Sequence, residues 1–445
     1  MKFSLGQNKM FFIAIVAAVV VIILIMILLL GNIKSRAPTQ TTTLQFWGVF
    51  DDREVINAVL DKYKSVNRQI RIVYKQFSYD EYEQKLIDAF ASGTGPDIWM
   101  MHNTWLPKHG DKIVALPQNL QGEDGEPLFT ITDFQNQFVD VAVDDLTIDG
   151  RIAALPVYID TLALYYNKDL FNSVGLTRAP ETWEEFNDAV NRLTVVDNDG
   201  NIVRSGAAIG TARNVNRSTD ILMLMMLQSG VQMTNSTNTT ATFTSAVDRE
   251  KVGELALQYY TDFANPLKRK VYTWNDGQNY SIDDFIEGDT AMMFNYSHHI
   301  ATIRDKAARF NFGIASMPQI KDAPIKVNYA NYWAPTVSKS SGNAIEAWKF
   351  VLFMSSAEGA AAYLDASGRP AARRDLIEQQ KRKPDIGIFA EQSLSARSWY
   401  QVDNTDIEKI FADMIDDVNF GRRSVRDALE NAERQVNVLM RRARN

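Results

Sequence analysis

Residues 10–30 read MFFIAIVAAVVVIILIMILLL, twenty-one positions without a charge. A helix of that length rises about 31 Å, the hydrocarbon thickness of a bilayer. The run therefore divides the chain into an apolar N-terminal segment and a large remainder that must fold separately. A cleaved signal peptide is the alternative, but its apolar region is usually about 7–15 residues and ends in a small-x-small site. The nearest such site, Ser35-Arg36-Ala37, is followed by Pro38, so an uncleaved transmembrane anchor over 10–30 is expected. The chain has no cysteine, which excludes an acylated lipoprotein signal and any disulfide framework. Lys2 and Lys9 before the run are balanced by Lys34 and Arg36 after it, so the positive-inside rule nearly cancels. The short flank 1–9 favours a cytoplasmic amino end, with the large domain extracellular or periplasmic. Residues 31–42, GNIKSRAPTQTT, read as a tether of about 40 Å at full extension.

The remainder is long enough for two cores, and the chain is 46% hydrophobic. Its formal charge of −7 argues against a nucleic-acid surface, which would need a basic stripe. No internal repeat is present, and Thr234–Thr244 reads as an exposed loop or hairpin.

Beyond the tether, strand and helix patterns alternate. Leu44–Val49 reads as a strand, and Val55, Ala58, Val59, Tyr63 and Val66 follow helical spacing. Ile70–Phe77 is a second strand. Ser78 and Glu81 form a capping box opening a helix with Tyr82, Leu86 and Phe90, and Ser92-Gly93 stops it before the strand Asp97–Met101. This α/β order implies a parallel sheet covered on both faces, with ligands meeting the loops at the strands' carboxyl ends. Those loops are Gly48–Asp52 and His102–Trp105.

Asp149-Gly150 signals a hairpin turn, followed by the expected strands Ala153–Val157 and Leu162–Tyr166. Thr182 and Glu185 cap a helix with Phe186, Val190 and Leu193. Asp197–Gly200 lacks the ligand spacing of a calcium loop and reads as a turn. Ser205–Gly210, Thr290–Asn295 and Phe312–Ser316 read as strands, and Asp220–Gln228 as a helix in which Met223, Met225 and Met226 serve core packing. A stripe of Ile407, Ile410, Phe411, Met414, Ile415 and Val418 marks a late helix, and Ser424 with Asp427 caps the last one. Arg441, Arg442 and Arg444 sit where cations suit a helix dipole.

Five segments in this order resemble the family-1 extracellular solute-binding proteins of bacterial ABC importers, the group containing maltodextrin and oligosaccharide binders. They are Gly93-Thr-Gly-Pro-Asp-Ile98, Leu155-Pro-Val-Tyr-Ile-Asp-Thr-Leu-Ala-Leu-Tyr-Tyr-Asn-Lys-Asp-Leu170, Pro180-Glu-Thr-Trp-Glu-Glu-Phe186, Gly288-Asp-Thr-Ala-Met292 and Ala347-Trp-Lys-Phe-Val-Leu-Phe353. The resemblance runs from about Leu44 to the end. It implies a periplasmic-binding-protein-like α/β fold in which two lobes, joined by several crossing segments, close over a solute. Lobe 1 then takes residues 43–159 and 329–383, and lobe 2 residues 160–328 and 384–445.

The same resemblance carries over a set of solute contacts. The loop after the first strand supplies Trp47 and Phe50, and the loop after Gly-Pro-Asp-Ile supplies Met101, His102, Asn103, Thr104 and Trp105. The first crossing supplies Tyr158 and Asp160, and the segment past Gly-Asp-Thr-Ala-Met supplies Tyr296, Ser297 and His298. The return crossing supplies Asn331, Tyr332 and Trp333, and a late helix start supplies Trp399 and Tyr400. Such rings can stack on a pyranose while carboxylate, amide and hydroxyl groups bond its hydroxyls. Thr104 and Trp105 stand where maltodextrin binders carry an acidic–Arg pair, and His298 where they carry Trp, which points away from maltodextrin itself.

The implied role is a membrane-anchored receptor that hands a small solute, a carbohydrate, to ABC permease subunits, with no cofactor. Two alternatives stand beside it: a receptor feeding a sensor kinase, and a carbohydrate-active enzyme. The histidines are His102, His109, His298 and His299, and the adjacent pair has no third ligand at metal spacing. Asp160 with a second carboxylate could mimic a glycosidase pair, but no nucleophile elbow or phosphate loop is present. The expectation is a non-enzyme.

Overall fold

The alternation that predicts the first three strands is realised in the computed structural model as Thr42–Val49, Ile70–Phe77 and Ile98–His102. The described residues are 6–31, 41–122 and 125–443; residues 1–5 of the flank and 32–40 of the tether lie outside them. The helix Gly6–Gly31 comes first, with side chains described over 11–26. Among the described residues no helix is long and apolar enough to cross a membrane. From Thr43 onward the chain forms a separate unit.

A four-stranded sheet organises the first part of that unit, in the order Trp333–Val337, Ile98–His102, Thr42–Val49, Ile70–Phe77. Thr42–Val49 and Ile98–His102 run parallel, with Phe46 opposite Ile98. The distant strand Trp333–Val337 is antiparallel, with Trp333 opposite His102. Pro335, which cannot donate to a ladder, is tolerated because this strand lies at the sheet edge. Asp52 caps the helix Arg53–Val66 by accepting from the Glu54 and Val55 amides. That helix buries Ile56, Val59 and Tyr63 and leaves Val66 63% exposed, so its inner face is rotated from the predicted stripe. The next helix, Tyr79–Ala91, buries Tyr82, Leu86 and Ala89, and the Glu81 carboxylate accepts from the Ser78 amide at 3.4 Å.

Two predicted strands are absent. Ala153–Val157 is extended but makes only isolated bridges at Ala154 and Tyr158, because Pro156 interrupts the donors a ladder needs. The Asp149-Gly150 turn instead joins Thr147–Ile148 to Arg151–Ile152. Both turn residues have positive φ, 50° and 70°, as a two-residue hairpin loop requires. Ser205–Gly210 keeps a single bridge to Thr290 at Ser205. It runs beside Asp289–Met292, with backbone bonds from Ser205 to Asp289, Ala291 to Ser205 and Ala208 to Met292, while the Thr273 hydroxyl accepts from the intervening Gly206 and Ala207 amides at 2.7 and 3.2 Å.

The buried side chains form two hydrophobic cores. One draws on Leu44–Ile159 and Ala330–Ile377, with Ala390 and Ala396. The other draws on Leu162–Tyr329, Phe389 and Trp399–Met440. The second surrounds an antiparallel sheet ordered Met292–Asn295, Ala163–Asn167, Phe312–Ala315. Helix Ser218–Gln228 is buried there from Ser218 to Met226, so its methionines are core residues. Helices Asn404–Asn419 and Val425–Arg442 close the same core, capped by Asp403 and Ser424.

Where the chain passes between the cores it forms a small third sheet, ordered Ala396–Arg397, Asn328–Asn331, Asp160–Thr161. Core membership changes at each strand: Ile159 and Leu162 face opposite cores, as do Tyr329 and Ala330, and Ala396 and Trp399. These three crossings place the loops of both halves around one region.

Candidate functional site

Trp333 stands at the centre of a cluster of rings. It meets Trp105 at 4.9 Å, His102 at 5.2 Å, Tyr82 at 5.8 Å, Phe50 at 6.0 Å and Tyr79 at 6.3 Å, each edge-on. Edge-to-face pairs suit the ring quadrupoles and contribute about 0.5–1.5 kcal/mol each beyond their burial. The strand ends dictate the assembly. Phe50 follows Thr42–Val49, His102 ends its strand, and Trp333 starts the strand paired with it.

Phe50 differs from the others. It is 52% exposed, lies stacked on Tyr79 at 5.6 Å, and has φ of +68°. A bulky residue in the left-handed region is strained by about 1–3 kcal/mol, and such strain concentrates at functional sites. Tyr79 is 48% exposed. The buried Trp333 thus supports two rings that present themselves to solvent.

A charged group faces these rings from the second core. Arg217 precedes helix Ser218–Gln228 with φ of +60°. Its Nε and Nη2 reach the Asp220 carboxylate at 2.8 and 2.7 Å. Its guanidinium lies 5.3 Å over the Tyr296 ring, and the Tyr296 hydroxyl donates to the same carboxylate at 2.7 Å. Glu408 stands 3.9 Å from Arg217. Burial would lower the guanidinium's pKa, but attraction from Asp220, Tyr296 and Glu408 prevails and holds it well above the ordinary arginine value. Burial pushes the Glu408 carboxyl upward, with Arg217 opposing and Asp220 adding. Burial also raises the Tyr79 phenol, on which Glu408, Arg217 and Asp220 act in turn. The two halves are therefore within electrostatic reach.

His102 lies at the floor of this region. Its Nδ1 is 2.8 Å from the Thr104 hydroxyl and its Nε2 is 3.3 Å from Asn331 Oδ1. The network assigns the proton to Nε2, which donates to Asn331. Burial lowers its pKa to about 4, so the ring is neutral at pH 7. His102, Asn331, Asp220 and Glu408 line a common void of about 10 Å³.

The other expected contacts are placed elsewhere or already occupied. Asp160 is 3% exposed, and its carboxylate accepts from the Ser297 amide at 3.0 Å and the Ser297 hydroxyl at 2.7 Å. It ties the first crossing to the turn that follows strand Met292–Asn295. The His298 side chain remains 49% exposed, 3.7 Å from Asp160. Met101 is fully buried in the first core, and Trp47 packs on Phe77 at 4.6 Å. Tyr158 stacks on Tyr363 at 5.9 Å under the Arg369 guanidinium. Asn103 and Tyr332 donate to Asp145 at 3.0 and 2.9 Å, and Ser398 Oγ donates to it as well.

Trp399 and Tyr400 do not join Trp333. With Asn103, Asp145, Lys108 and Met233 they line a second groove of about 1120 Å³. Trp399 is 7% exposed, and its Nε1 donates to Met223 Sδ at 3.3 Å, so its ring is spent on the core. The groove is the roomier space. The ring cluster has the converging strand-end loops, the strained exposed ring and the buried charges, and we take it as the site.

Sequence reasoning missed Tyr79, Tyr82, Arg217, Asp220 and Glu408. Tyr79 and Tyr82 were hidden inside a helix defined by its cap, although two tyrosines beside a strand-end loop were a usable signal. Glu408 lies among the stripe residues Ile407 and Ile410 and carries no local signal.

Residues 58–389 match the family described as bacterial extracellular solute-binding protein. The chain is 24% identical over 448 aligned positions to the sn-glycerol-3-phosphate-binding periplasmic protein of Escherichia coli, covering 90% of this chain and 93% of that one. It is 23% identical over 297 residues to a putative binding protein of Brucella abortus. That match covers 66% of each chain, just under two thirds of the relative's length. The solved structure of the sugar-binding protein MalE from the phytopathogen Xanthomonas citri superposes with a TM-score of 0.75 at 19% identity. The superposition covers 91% of this chain and 98% of that one, so the fold is periplasmic-binding-protein-like.

Proposed function

Since the chain belongs to the bacterial extracellular solute-binding protein family, we propose that it captures a sugar or oligosaccharide between two lobes and delivers it to an ABC importer. The observation that carries this reading is the Trp333 cluster, with Phe50 and Tyr79 exposed on one side and Arg217, Asp220 and Glu408 on the other. Aromatic faces suit the apolar side of a pyranose, and the polar groups suit its hydroxyls. The Xanthomonas citri protein of the same fold is a sugar binder.

The lobes of this proposal are residues 43–159 with 329–383, and 160–328 with 384–445; the two cores support the division except at Tyr329, which packs in the second core, and at Ala390 and Ala396, which pack in the first. The three crossing strands act as the hinge, and a solute touching both lobes shifts the equilibrium toward closure. A receptor fits better than an enzyme. Asp160 is saturated by Ser297 and Asp220 by Arg217 and Tyr296, so neither is free to work with Glu408 as a hydrolytic pair.

Attachment to the cell membrane through residues 10–30 completes the proposal. It is supported by the uncharged run and by the helical backbone over Gly6–Gly31. The deciding experiment is calorimetric titration of the detergent-solubilised full chain with a panel of neutral mono- and oligosaccharides, alongside small-angle scattering. Binding with compaction supports the reading. Absence of binding across the panel overturns the sugar assignment, and binding without compaction overturns the hinge.

A further inference from the structure

The charges around the ring cluster restrict the solute further, and the argument rests on the receptor reading above. Among the described residues, three cations near the region are each held by a carboxylate, while Lys75 lies over the Trp47 and Phe77 rings. Arg217 is held by Asp220, Arg369 by Asp51 at 3.2 Å, and Lys108 by Glu83 and Asp403, both at 2.7 Å. His102 and His299 are neutral at pH 7, because burial lowers them to about 4 and about 3. The start of helix Ser218–Gln228, where an anion could otherwise settle, carries Asp220 in its first turn.

Glu408 is the exception among these carboxylates. Its nearest cation is Arg217 at 3.9 Å, beyond hydrogen-bond distance, and 37% of its side chain is exposed. Burial raises it to about 7, so above that pH it offers acceptor oxygens to a hydroxyl donor and a negative charge to anything else. Asp220, Glu408 and Arg217 together leave one net negative charge at the site when both carboxylates are ionised.

We propose that Glu408 is a specificity-determining residue that accepts hydrogen bonds from an uncharged polyhydroxylated solute and excludes its phosphate esters. A phosphate beside Arg217 would have to displace Asp220 while meeting Glu408 at close range. Exclusion by like charge is a common means of discriminating between similar partners. On this reading the sn-glycerol 3-phosphate preference of the Escherichia coli relative does not extend to this chain.

The test is calorimetric titration of the detergent-solubilised full chain at pH 8 with sn-glycerol 3-phosphate and with inorganic phosphate, for wild type and Glu408→Gln. Wild type is expected to bind neither anion at millimolar concentration, and Glu408→Gln to gain affinity for phosphate by about tenfold or more. Micromolar binding of sn-glycerol 3-phosphate by wild type overturns the proposal while leaving the receptor reading intact. A folded Glu408→Gln with no gain overturns the role of Glu408. Should that variant not fold, the wild-type titration still decides whether phosphate esters are excluded. Failure of every neutral sugar to bind is a separate result, directed at the sugar assignment.

Discussion

The indole Nε1 of Trp105 donates to Asn404 Oδ1 at 2.8 Å, a bond from the first core to the opening residue of a helix in the second. Lys108 reaches Asp403 beside it at 2.7 Å, and Ser398 donates to Asp145. These bonds fasten one short segment, residues 398–404, to the opposite lobe.

Asn404→Ala leaves the buried indole donor without an acceptor, at a cost of about 1–3 kcal/mol. The cost falls on the closed arrangement only. Solute affinity is expected to drop about tenfold or more, and the empty protein to expand in small-angle scattering. An unchanged affinity and radius would show that the bond does not hold the lobes.

Phe50→Gly relieves a strained left-handed side chain but loses its pairs with Tyr79 and Trp333, so stability in urea denaturation is expected to change by less than about 1 kcal/mol. The same change deletes an exposed ring from the site, so affinity should fall by at least about tenfold. Trp333→Ala behaves differently, because Trp333 is 4% exposed and supports five other rings. It should cost about 3–5 kcal/mol of stability. Loss of affinity without loss of stability in Trp333→Ala would refute its supporting role.

Burial holds His102 at about 4, below its ordinary value of 6.5. The unfolded chain therefore takes up this proton first as the pH falls. The stability due to His102 is complete above pH 6.5 and is lost as the pH drops toward 4. Between pH 7 and pH 4, wild type should lose on the order of 2–3 kcal/mol relative to His102→Gln in urea denaturation. The comparison cancels Asp145, which burial raises to about 6 against its hydrogen bonds from Ser398, Asn103 and Tyr332. Its contribution has the opposite sign: stability is complete below pH 3.8 and is lost as the pH rises through 6. Parallel pH curves for the two proteins would contradict the buried, neutral assignment of His102.

The full chain should fractionate with membranes at its uncleaved mass, and a form beginning at Thr39 should be soluble and folded. Separate folding is expected because residues from Thr43 form their own unit. A mature protein beginning near residue 37 would overturn the anchor.

Local signals were legible and assembled ones were not. Thr182 accepts from the Glu185 amide at 3.3 Å, and Ser424 caps the last helix, because caps depend on neighbours in sequence. Ser205–Gly210 keeps strand-like bonds to Asp289–Met292 but not a full ladder, because Thr273, remote in sequence, takes the Gly206 and Ala207 amides. Of the residues expected at the site, Phe50, His102 and Trp105 follow strand ends that the alternation already marked, while Trp333 joins them through an edge strand it did not mark. Arg217 and Glu408 meet only through packing of two helices, and their separate neighbourhoods contain nothing to pair them. Trp399, expected by resemblance beside Trp333, borders the larger groove instead, since an aromatic at a helix start says nothing about which space it borders.

The return of the chain to its first core governs how the protein is made. The Tyr363 hydroxyl donates to Asp51 Oδ2 at 2.9 Å across 312 residues, and the edge strand Trp333–Val337 completes a sheet begun at Thr42. A growing polypeptide emerging from the ribosome therefore carries three strands and their helices with an open sheet edge while the intervening lobe is synthesised. Such contacts fold late, and exposed edges invite aggregation. The nascent N-terminal half must accordingly be kept from neighbouring chains until residues near Ile377 arrive to cover it.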